Sequence, residues 1–288
     1  MLLTHRSSVI EDIVDLDTYP IHRLDSPVRA ELVAETRKQM DAVGCCRISD
    51  FVRPEAIAAM KEEAERLHDR TTWAVMDHNP YAGPDDPSLP DDHPRRRFQH
   101  RESGFINSDE LDATSVLNRI YDADVMTHFV WECLGTDRPI YRWSDPLGCN
   151  PYGIMESDHY FPWHFDGNEF TVSILVQKAE GGGVFEYVPD IRTPDDENFP
   201  GVQAVLDGSR DGVHELDLEP GDLQLFKGRF SMHRVTRIVG DTTRIIALPT
   251  YVYDPFRMNS PHHAETFYGR ATELHNSRAG LLVDGLAD

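Results

Sequence analysis

The sequence is poor in cysteine, in basic residues and in long apolar runs, and each shortage excludes a class of protein. Its four cysteines have spacings that fit no zinc motif. No apolar run approaches the roughly 20 residues of a membrane span. Lys and Arg together number 28 against 50 for Asp and Glu, which leaves a formal charge of −22. Nucleic acid and anionic membrane surfaces reward positive charge, so we predict neither as a partner.

We expect no secretion signal, and no internal repeat is visible in the sequence. Residues 1–6 have neither the basic start nor the apolar core of a signal peptide. We therefore expect a cytoplasmic protein with reduced thiols at Cys45, Cys46, Cys133 and Cys149. At 288 residues the chain can bury a substantial core as one large domain or two small ones. No interior linker is visible, so we predict one domain over residues 1–288, with its oligomeric state open.

The first half of the chain is rich in helix signals. Ser26 and Pro27 fit an N-cap and first helical position, and Gly44 is placed to end that helix. A short strand is expected at residues 45–48, and Pro54 opens a second helix with apolar residues on one face. Ser108 can cap a further helical region that runs to Gly135. We predict a helical support over residues 26–135 that braces a barrel.

Two polar segments interrupt this pattern. Residues 77–94 hold five prolines and five aspartates, a composition that excludes a helix or a central strand. The segment is either a solvated surface loop or a lid over a functional site. Residues 189–215 are a second candidate lid. His78 and His93 lie among the aspartates without regular ligand spacing, so we assign them no metal.

A dense basic run follows the first polar segment. Residues 95–101 carry four arginines in an otherwise acidic chain. Such runs are usually solvated, and this one is too small a basic field for nucleic acid. One of its side chains could instead bind a carboxylate or phosphate of a substrate. Arg101 is our candidate for that role.

The most informative stretch covers residues 160–177. His164 and Asp166 stand two apart, ahead of an alternating run in which Val172, Ile174 and Val176 are apolar. Alternation predicts a half-buried strand, and residues two apart on a strand share a face. The imidazole and the carboxylate would then point the same way and supply two ligands to one divalent metal. A third ligand would complete the two-His-one-carboxylate set that leaves positions open on Fe(II).

The third candidate ligand is His233, which follows a predicted turn and strand. Pro220 and Gly221 suit the centre of a type II turn, because Pro fixes the first φ and Gly allows a positive second φ. Eleven residues after His233, Arg244 opens another apolar run. A planar guanidinium suits a bidentate contact with a carboxylate. A metal triad followed by an arginine is what a metal and a dicarboxylate cosubstrate would need.

These residues resemble the Fe(II)/2-oxoglutarate-dependent oxygenase superfamily over roughly residues 140–255. The resemblance implies a mainly β fold with helices, a double-stranded β-helix (jelly-roll, cupin-like) core at about 139–255 and a tail at 256–288. It also implies Fe(II) on His164, Asp166 and His233, with 2-oxoglutarate anchored on Arg244. O₂ and 2-oxoglutarate would be consumed, and succinate and CO₂ released. The plainer alternative is a β-barrel with an ordinary His–Asp hydrogen bond and an unrelated arginine.

Within that superfamily, the chain is most similar to the branch of radical halogenases and hydroxylases of small metabolites. The expected activity is hydroxylation of an unactivated C–H bond in a small polar molecule, free amino acids among them. Halogenases of this branch typically carry glycine where this chain has Asp166, so we predict oxygenation without halogenation. The alternatives are desaturation, cyclisation or another oxidative outcome, and a non-catalytic cupin-like binding barrel. Arg244 argues against the last, because a simple metal-binding barrel needs no dicarboxylate anchor.

Overall fold

The computed structural model describes residues 10–280 and 286, and in this part of the chain helices precede and follow a β core. The helices are α1 (Pro27–Val43), α2 (Pro54–Arg66), α3 (Val116–Asp122), α4 (Asp124–Leu134), α5 (Phe199–Leu206), α6 (Pro261–Tyr268) and α7 (Glu273–Arg278). The strands are β1 (Cys45–Ile48), β2 (Thr72–His78), β3 (Gln99–Ile106), β4 (Tyr141–Arg142), β5 (Tyr152–Met155), β6 (Phe161–His164), β7 (Thr171–Gln177), β8 (Phe185–Val188), β9 (His214–Leu216), β10 (Leu223–Phe226), β11 (Met232–Val235), β12 (Arg244–Ala247) and β13 (Tyr251–Val252).

Local signals place the first helix as predicted. The Ser26 hydroxyl accepts the Arg29 backbone N–H at 3.4 Å, and Pro27 occupies the first turn, where a missing N–H has no cost. At the other end Gly44 adopts φ +64° and donates its N–H to the Met40 carbonyl. This left-handed conformation is readily available to glycine, so α1 ends there.

Two antiparallel sheets form the β core. The larger sheet has the strand order β1-β10-β7-β12-β5-β3-β2, and the smaller has the order β6-β11-β8-β9. Strands β13 and β4 form a separate pair. The large and small sheets enclose a buried apolar interior lined by Met155 and Phe226 from one and Phe185 and Val235 from the other. The predicted double-stranded β-helix with an N-terminal helical layer is confirmed.

The main core lies between the N-terminal helices and the outer face of the large sheet. Val172, Ile174 and Val176 of β7 pack there with side chains of α1, α2 and α4. The polar residues of β7 turn into the barrel, where Ser173 donates to Gln224 Oε1 at 2.9 Å. Both faces of β7 are thus largely buried, and the prediction of a half-buried strand is wrong. The polar face is covered by the second sheet instead of water.

Several segments carry more regular structure than the composition indicated. Besides the expected β1, strands β2 and β3 lie within the predicted helical support at 26–135. Strand β2 runs to His78, so the irregular segment begins at residue 79; β2 is a sheet edge, where the following prolines disrupt no ladder. Segment 189–215 contains α5, and the tail after residue 256 contains α6 and α7.

No helix in the described part of the chain combines the length and the apolar character needed to cross a membrane. The Pro220–Gly221 turn has the expected geometry: Gly221 adopts φ +100° and the Asp222 N–H donates to the Glu219 carbonyl at 3.0 Å. The division of the chain into a single domain stays a prediction.

Candidate metal centre

The stretch at residues 160–177 is divided between the two sheets. His164 is the last residue of β6 in the small sheet, and β7 belongs to the large one. Asp166 lies in the connection, where its N–H donates to the Gly228 carbonyl at 3.1 Å. The prediction that His164 and Asp166 share one face of a strand is therefore wrong, because Asp166 lies outside both strands. The chain leaves the sheet after His164 and brings the carboxylate back beside the imidazole.

His233 lies next to His164 in the same sheet. Strand β11 pairs with β6, and the two histidines are directly opposite each other in the register. Opposite residues of an antiparallel pair project to the same side, and the two ring centroids are 4.0 Å apart. Strand β11 is thus the hydrogen-bonded neighbour of β6, and this pairing holds the two rings at a fixed separation.

The three side chains converge on one point. Asp166 Oδ1 lies 3.7 Å from His164 Nε2 and 3.3 Å from His233 Nε2. The three potential ligand atoms lie within 4.8 Å of one another, and the described residues contain no other such group of His, Cys, Asp and Glu. The barrel thus presents two imidazoles and one carboxylate at the spacing that a single metal ion requires.

The outer atoms of each group are held by the surrounding protein. His164 Nδ1 lies 2.8 Å from the Pro162 carbonyl and His233 Nδ1 lies 3.0 Å from the Ser231 carbonyl. A ring nitrogen beside a carbonyl carries the proton, so both Nε2 lone pairs face the centre. Thr171 donates its hydroxyl to Asp166 Oδ2 at 2.6 Å, which leaves Oδ1 for the centre. Metal-ligating histidines characteristically have such partners on their second nitrogen.

Electrostatics favour the ligand-competent protonation states. Burial, with His233 alongside, holds the pKa of His164 well below its usual range, so this imidazole is neutral. Burial by itself would raise the pKa of the Asp166 carboxyl, but the interactions with His233 and His164 hold it below its usual value. Metal ions bind neutral imidazole and ionised carboxylate. The donor set therefore fits a divalent ion such as Fe(II).

Gly228 makes the position of Asp166 possible. A Cβ atom built on this glycine would lie 1.9 Å from Asp166 Oδ2, so no larger residue fits while the carboxylate stays in place. Gly228 belongs to the turn between β10 and β11. Nothing in the local sequence marks it, because the constraint comes from Asp166, which lies 62 positions earlier in the chain.

Arg244 opens β12 and faces the barrel interior. Its neighbours Ile245 and Ala247 pack in the helix-side core, so Arg244 projects to the opposite side. The side chain is 5% exposed, and burial lowers the pKa of its guanidinium to about 10. Within residues 10–280 it makes no hydrogen bond or ion pair through its side chain. A charged group in such a site needs an anionic partner to offset its desolvation.

Arg101 is buried close to the centre. Burial lowers the pKa of Arg101 to about 9, and its Nε donates to Ser103 Oγ at 3.0 Å. Its guanidinium lies 3.7 Å from the centroid of the Phe161 ring, which stacks on His164. Arg96 and Arg97 bind surface aspartates instead. The predicted role of Arg101 in substrate binding stays a prediction.

His78 is a neighbour of the centre that we did not predict from the sequence. Its ring centroid lies 6.3 Å from that of His164. Nδ1 lies 2.8 Å from the Asn79 carbonyl, whereas Nε2 is buried with no hydrogen-bond partner among the described residues. Burial lowers the pKa of His78 to about 4. A strand could have been predicted here, because every second residue faces inward at Ala74, Met76 and His78. The prolines that follow led us to predict an irregular segment from residue 77 instead.

Comparisons with known proteins agree with this architecture. A family model described as "HalD: Halogenase D" matches residues 28–266. AviO1 from Streptomyces viridochromogenes Tue57 is 18% identical over 77% of this chain and 95% of its own, with a TM-score of 0.52. The epimerase SnoN from nogalamycin biosynthesis, described as non-heme and alpha ketoglutarate dependent, is 11% identical over 77% and 83%, with a TM-score of 0.52.

The carbocyclase SnoK, from the same biosynthesis and with the same cofactor description, is 12% identical over 83% of this chain and 94% of its own, with a TM-score of 0.50. At these identities the likeness shows a shared fold. No curated protein gave a significant sequence match.

Proposed function

The chain belongs to the Halogenase D family, and on that premise we propose that it is an Fe(II)- and 2-oxoglutarate-dependent dioxygenase. It hydroxylates an unactivated C–H bond of a small polar metabolite, with free amino acids as the leading class. The observation that supports this most directly is the convergence of His164, Asp166 and His233, with each imidazole held by a backbone carbonyl on its outer nitrogen.

The three side chains would hold Fe(II) through His164 Nε2, His233 Nε2 and Asp166 Oδ1. Bound iron, together with 2-oxoglutarate and O₂, supplies the oxidising power for C–H hydroxylation, and 2-oxoglutarate leaves as succinate and CO₂. The protein contributes a fixed set of donors that needs little rearrangement when the ion binds. The Thr171 hydrogen bond keeps the carboxylate from turning away.

Arg244 would anchor the far carboxylate of 2-oxoglutarate. It projects into the same barrel interior and remains charged at neutral pH, although burial lowers its pKa to about 10. Gly183 passes so close that a Cβ there would lie 3.0 Å from Arg244 Cδ, which fixes the side chain against the backbone. A dicarboxylate on this arginine would compensate the buried charge.

Arg101 would bind an anionic group of the substrate. Among the described residues its guanidinium has no carboxylate within ion-pair distance, and only its Nε is committed, to Ser103. A substrate carboxylate could therefore receive the two terminal amino groups in a bidentate contact. This charge pattern favours small acids and amino acids over neutral or cationic substrates.

Asp166 favours oxygenation over halogenation. A carboxylate ligand occupies a coordination position that a halide would otherwise need. Here the carboxylate is held by Thr171 and by the Gly228 backbone, and the proximity of His233 and His164 keeps it ionised. The native protein is therefore expected to form no halogenated product in high chloride or bromide.

Turnover with metabolite pools tests the function. The protein with Fe(II), 2-oxoglutarate and O₂ would be incubated with amino-acid, nucleotide and peptide pools, and succinate and product masses measured. A gain of one oxygen atom supports hydroxylation, and a loss of two hydrogen atoms indicates desaturation or cyclisation. Failure to bind Fe(II), with no succinate above the level of a His233→Ala control, would contradict the proposal and favour a non-catalytic barrel.

A further inference from the structure

A stack of four side chains connects the candidate substrate arginine to the metal centre. Its members, in order, are His164, Phe161, Arg101 and Phe267. The Phe161 ring lies parallel to the His164 imidazole, with centroids 3.8 Å apart and an interplanar angle of 7°. The Arg101 guanidinium carbon lies 3.7 Å from the Phe161 centroid and 4.6 Å from that of Phe267. Two groups cannot both occupy one ring face at such distances, so Arg101 and His164 lie on opposite faces of Phe161.

The stack limits how an anion can reach Arg101. Phe161 and Phe267 contact the guanidinium from two sides, and Ser103 Oγ accepts from Nε. The edge formed by the two terminal amino groups remains for a ligand. An anion must therefore approach in the guanidinium plane, which also lies beside the Phe161 ring. The aromatic contacts hold the arginine in this orientation before the ligand arrives.

We infer that Phe161 is a positioning residue that sets the separation between the substrate's anionic group and the metal centre. One aromatic ring, in contact with a metal-site histidine on one face and with the anion-binding arginine on the other, fixes the distance between the imidazole and the guanidinium at about two stacking distances. The anion bound by the guanidinium and the metal bound by the imidazole are then held at a set separation. The carbon that is oxidised then lies a constant number of bonds from the anionic group. This inference deepens the proposed function and rests on it.

The test uses straight-chain amino acids of increasing length, from alanine through norvaline to norleucine, as probes. The variants are Phe161→Leu and Phe161→Met, which remove the ring, and Phe161→Tyr, which keeps it. Phe267→Leu is the matched control, because Phe267 contacts Arg101 without contacting His164. Urea unfolding of every variant checks the fold, and product position is read by NMR.

The wild type should oxidise each accepted probe at the same number of bonds from the carboxylate. Loss of the Phe161 ring should raise the KM for the probe about 3- to 30-fold, as expected for a lost cation–π contact, and shift or scatter the oxidised position. Phe161→Tyr keeps the ring, so its KM and its oxidised position should match those of the wild type. Phe267→Leu should raise KM without moving the position. An unchanged position and KM in both ring-deleting variants would overturn the inference.

A binding measurement separates this inference from the proposed function. Norleucine is titrated calorimetrically into protein loaded with Zn(II) and 2-oxoglutarate in the absence of O₂. Weaker norleucine binding in Arg101→Met and in the ring-deleting variants supports the positioning role of Phe161. This holds even if the Fe(II) form releases no succinate, because that result would contradict only the oxygenase function. If succinate release is normal, and neither norleucine binding nor the product position changes in the Phe161 variants, only the positioning role of Phe161 is contradicted. No binding of any probe to the wild type also overturns it.

Discussion

At the scale of single residues, the centre depends on side chains whose second polar atom is already committed. His164 and His233 donate Nδ1 to backbone carbonyls, and Asp166 accepts from Thr171 through Oδ2. Each group therefore presents one defined atom to the centre. Arg244 and Arg101 differ, because their guanidinium groups are buried with donors left for ligands. The proposed metal ligands and the proposed anion-binding residues thus differ in how many of their polar atoms are already hydrogen-bonded within the protein.

Replacing His233 by alanine should abolish Fe(II) binding and turnover while leaving the fold largely intact. Only one of three ligands is lost, but the remaining pair cannot hold the ion at the same geometry. Equilibrium dialysis with iron analysis and circular dichroism check the two parts of this statement. His214→Ala, on β9 of the same sheet, is the control and should bind iron normally. Near-normal iron affinity in His233→Ala would remove His233 from the ligand set.

Replacing Arg244 by methionine should raise the 2-oxoglutarate requirement by orders of magnitude and leave Fe(II) affinity nearly unchanged. Truncating one partner of a buried charged contact costs about 2–5 kcal/mol of binding. The KM for 2-oxoglutarate and the iron affinity are the measurements. Lys178→Met removes a nearby surface charge that is paired with Asp217 and Glu219, and it should change neither value. An unchanged cosubstrate affinity in Arg244→Met would move the anchor elsewhere.

Replacing Asp166 by glycine should open a position for halide at the centre. Thr171 would lose its acceptor and the iron a charged ligand, so lower iron affinity and activity are expected as well. Mass spectrometry of products formed in high chloride or bromide gives the readout. The native protein should yield only oxygenated product under the same conditions. A chlorinated product from the native protein would show that Asp166 leaves the metal during turnover.

At the scale of elements, two connections between the sheets build the site. The link from β6 to β7 carries Asp166, and the turn from β10 to β11 supplies the Gly228 carbonyl that receives its N–H. A third segment, beginning at residue 79, lies over the first link, because the Phe165 N–H donates to the Pro80 carbonyl at 2.9 Å. The Asp166 carboxylate is thus positioned by connections between strands, because Asp166 itself lies in no strand.

Replacing Gly228 by alanine should lower Fe(II) affinity strongly although residue 228 donates no ligand. The new Cβ would stand 1.9 Å from Asp166 Oδ2, so the carboxylate has to move or the turn has to shift. Gly167→Ala is the matched control, since a Cβ there meets nothing within 4 Å. Iron affinity and urea midpoints of both variants separate displacement of the ligand from general destabilisation. Equal iron affinity in the two variants would contradict the close packing described above.

At the scale of the whole molecule, the fold buries charged and titratable groups whose protonation then affects stability. Burial lowers the pKa of His78 to about 4 from an ordinary value of 6.5. Between those pH values the unfolded chain binds the proton and the folded protein does not. Stability is therefore greatest above the unfolded pKa and falls as pH decreases toward the folded one.

For the metal-free protein, this histidine should reduce the free energy of unfolding by about 2 kcal/mol between pH 7 and pH 5. Urea unfolding of the wild type and of His78→Phe at both pH values gives the difference. Because phenylalanine does not titrate, the wild type should lose about 2 kcal/mol more than the variant on acidification. Equal losses would mean that His78 is protonated in the folded protein or already neutral in the unfolded chain.

Much of the architecture could be predicted from the sequence because it follows from neighbouring residues. The cap of Ser26, the end of α1 at Gly44 and the turn at Gly221 are determined within a few residues. The spacing of His164, Asp166, His233 and Arg244 indicated a metal and a dicarboxylate. Each of these signals lies in local backbone preference or in side-chain chemistry, which do not depend on distant contacts.

Only the tertiary structure decided how those residues meet. Asp166 joins the centre by leaving its strand, His233 lies beside His164 through pairing of β6 with β11, and Gly228 accommodates the carboxylate. The stack of Arg101 on Phe161 likewise joins β3 to β6. Contacts between segments so far apart depend on how two sheets close on each other, and that closure is specified by the packing of the whole core instead of by any local pattern.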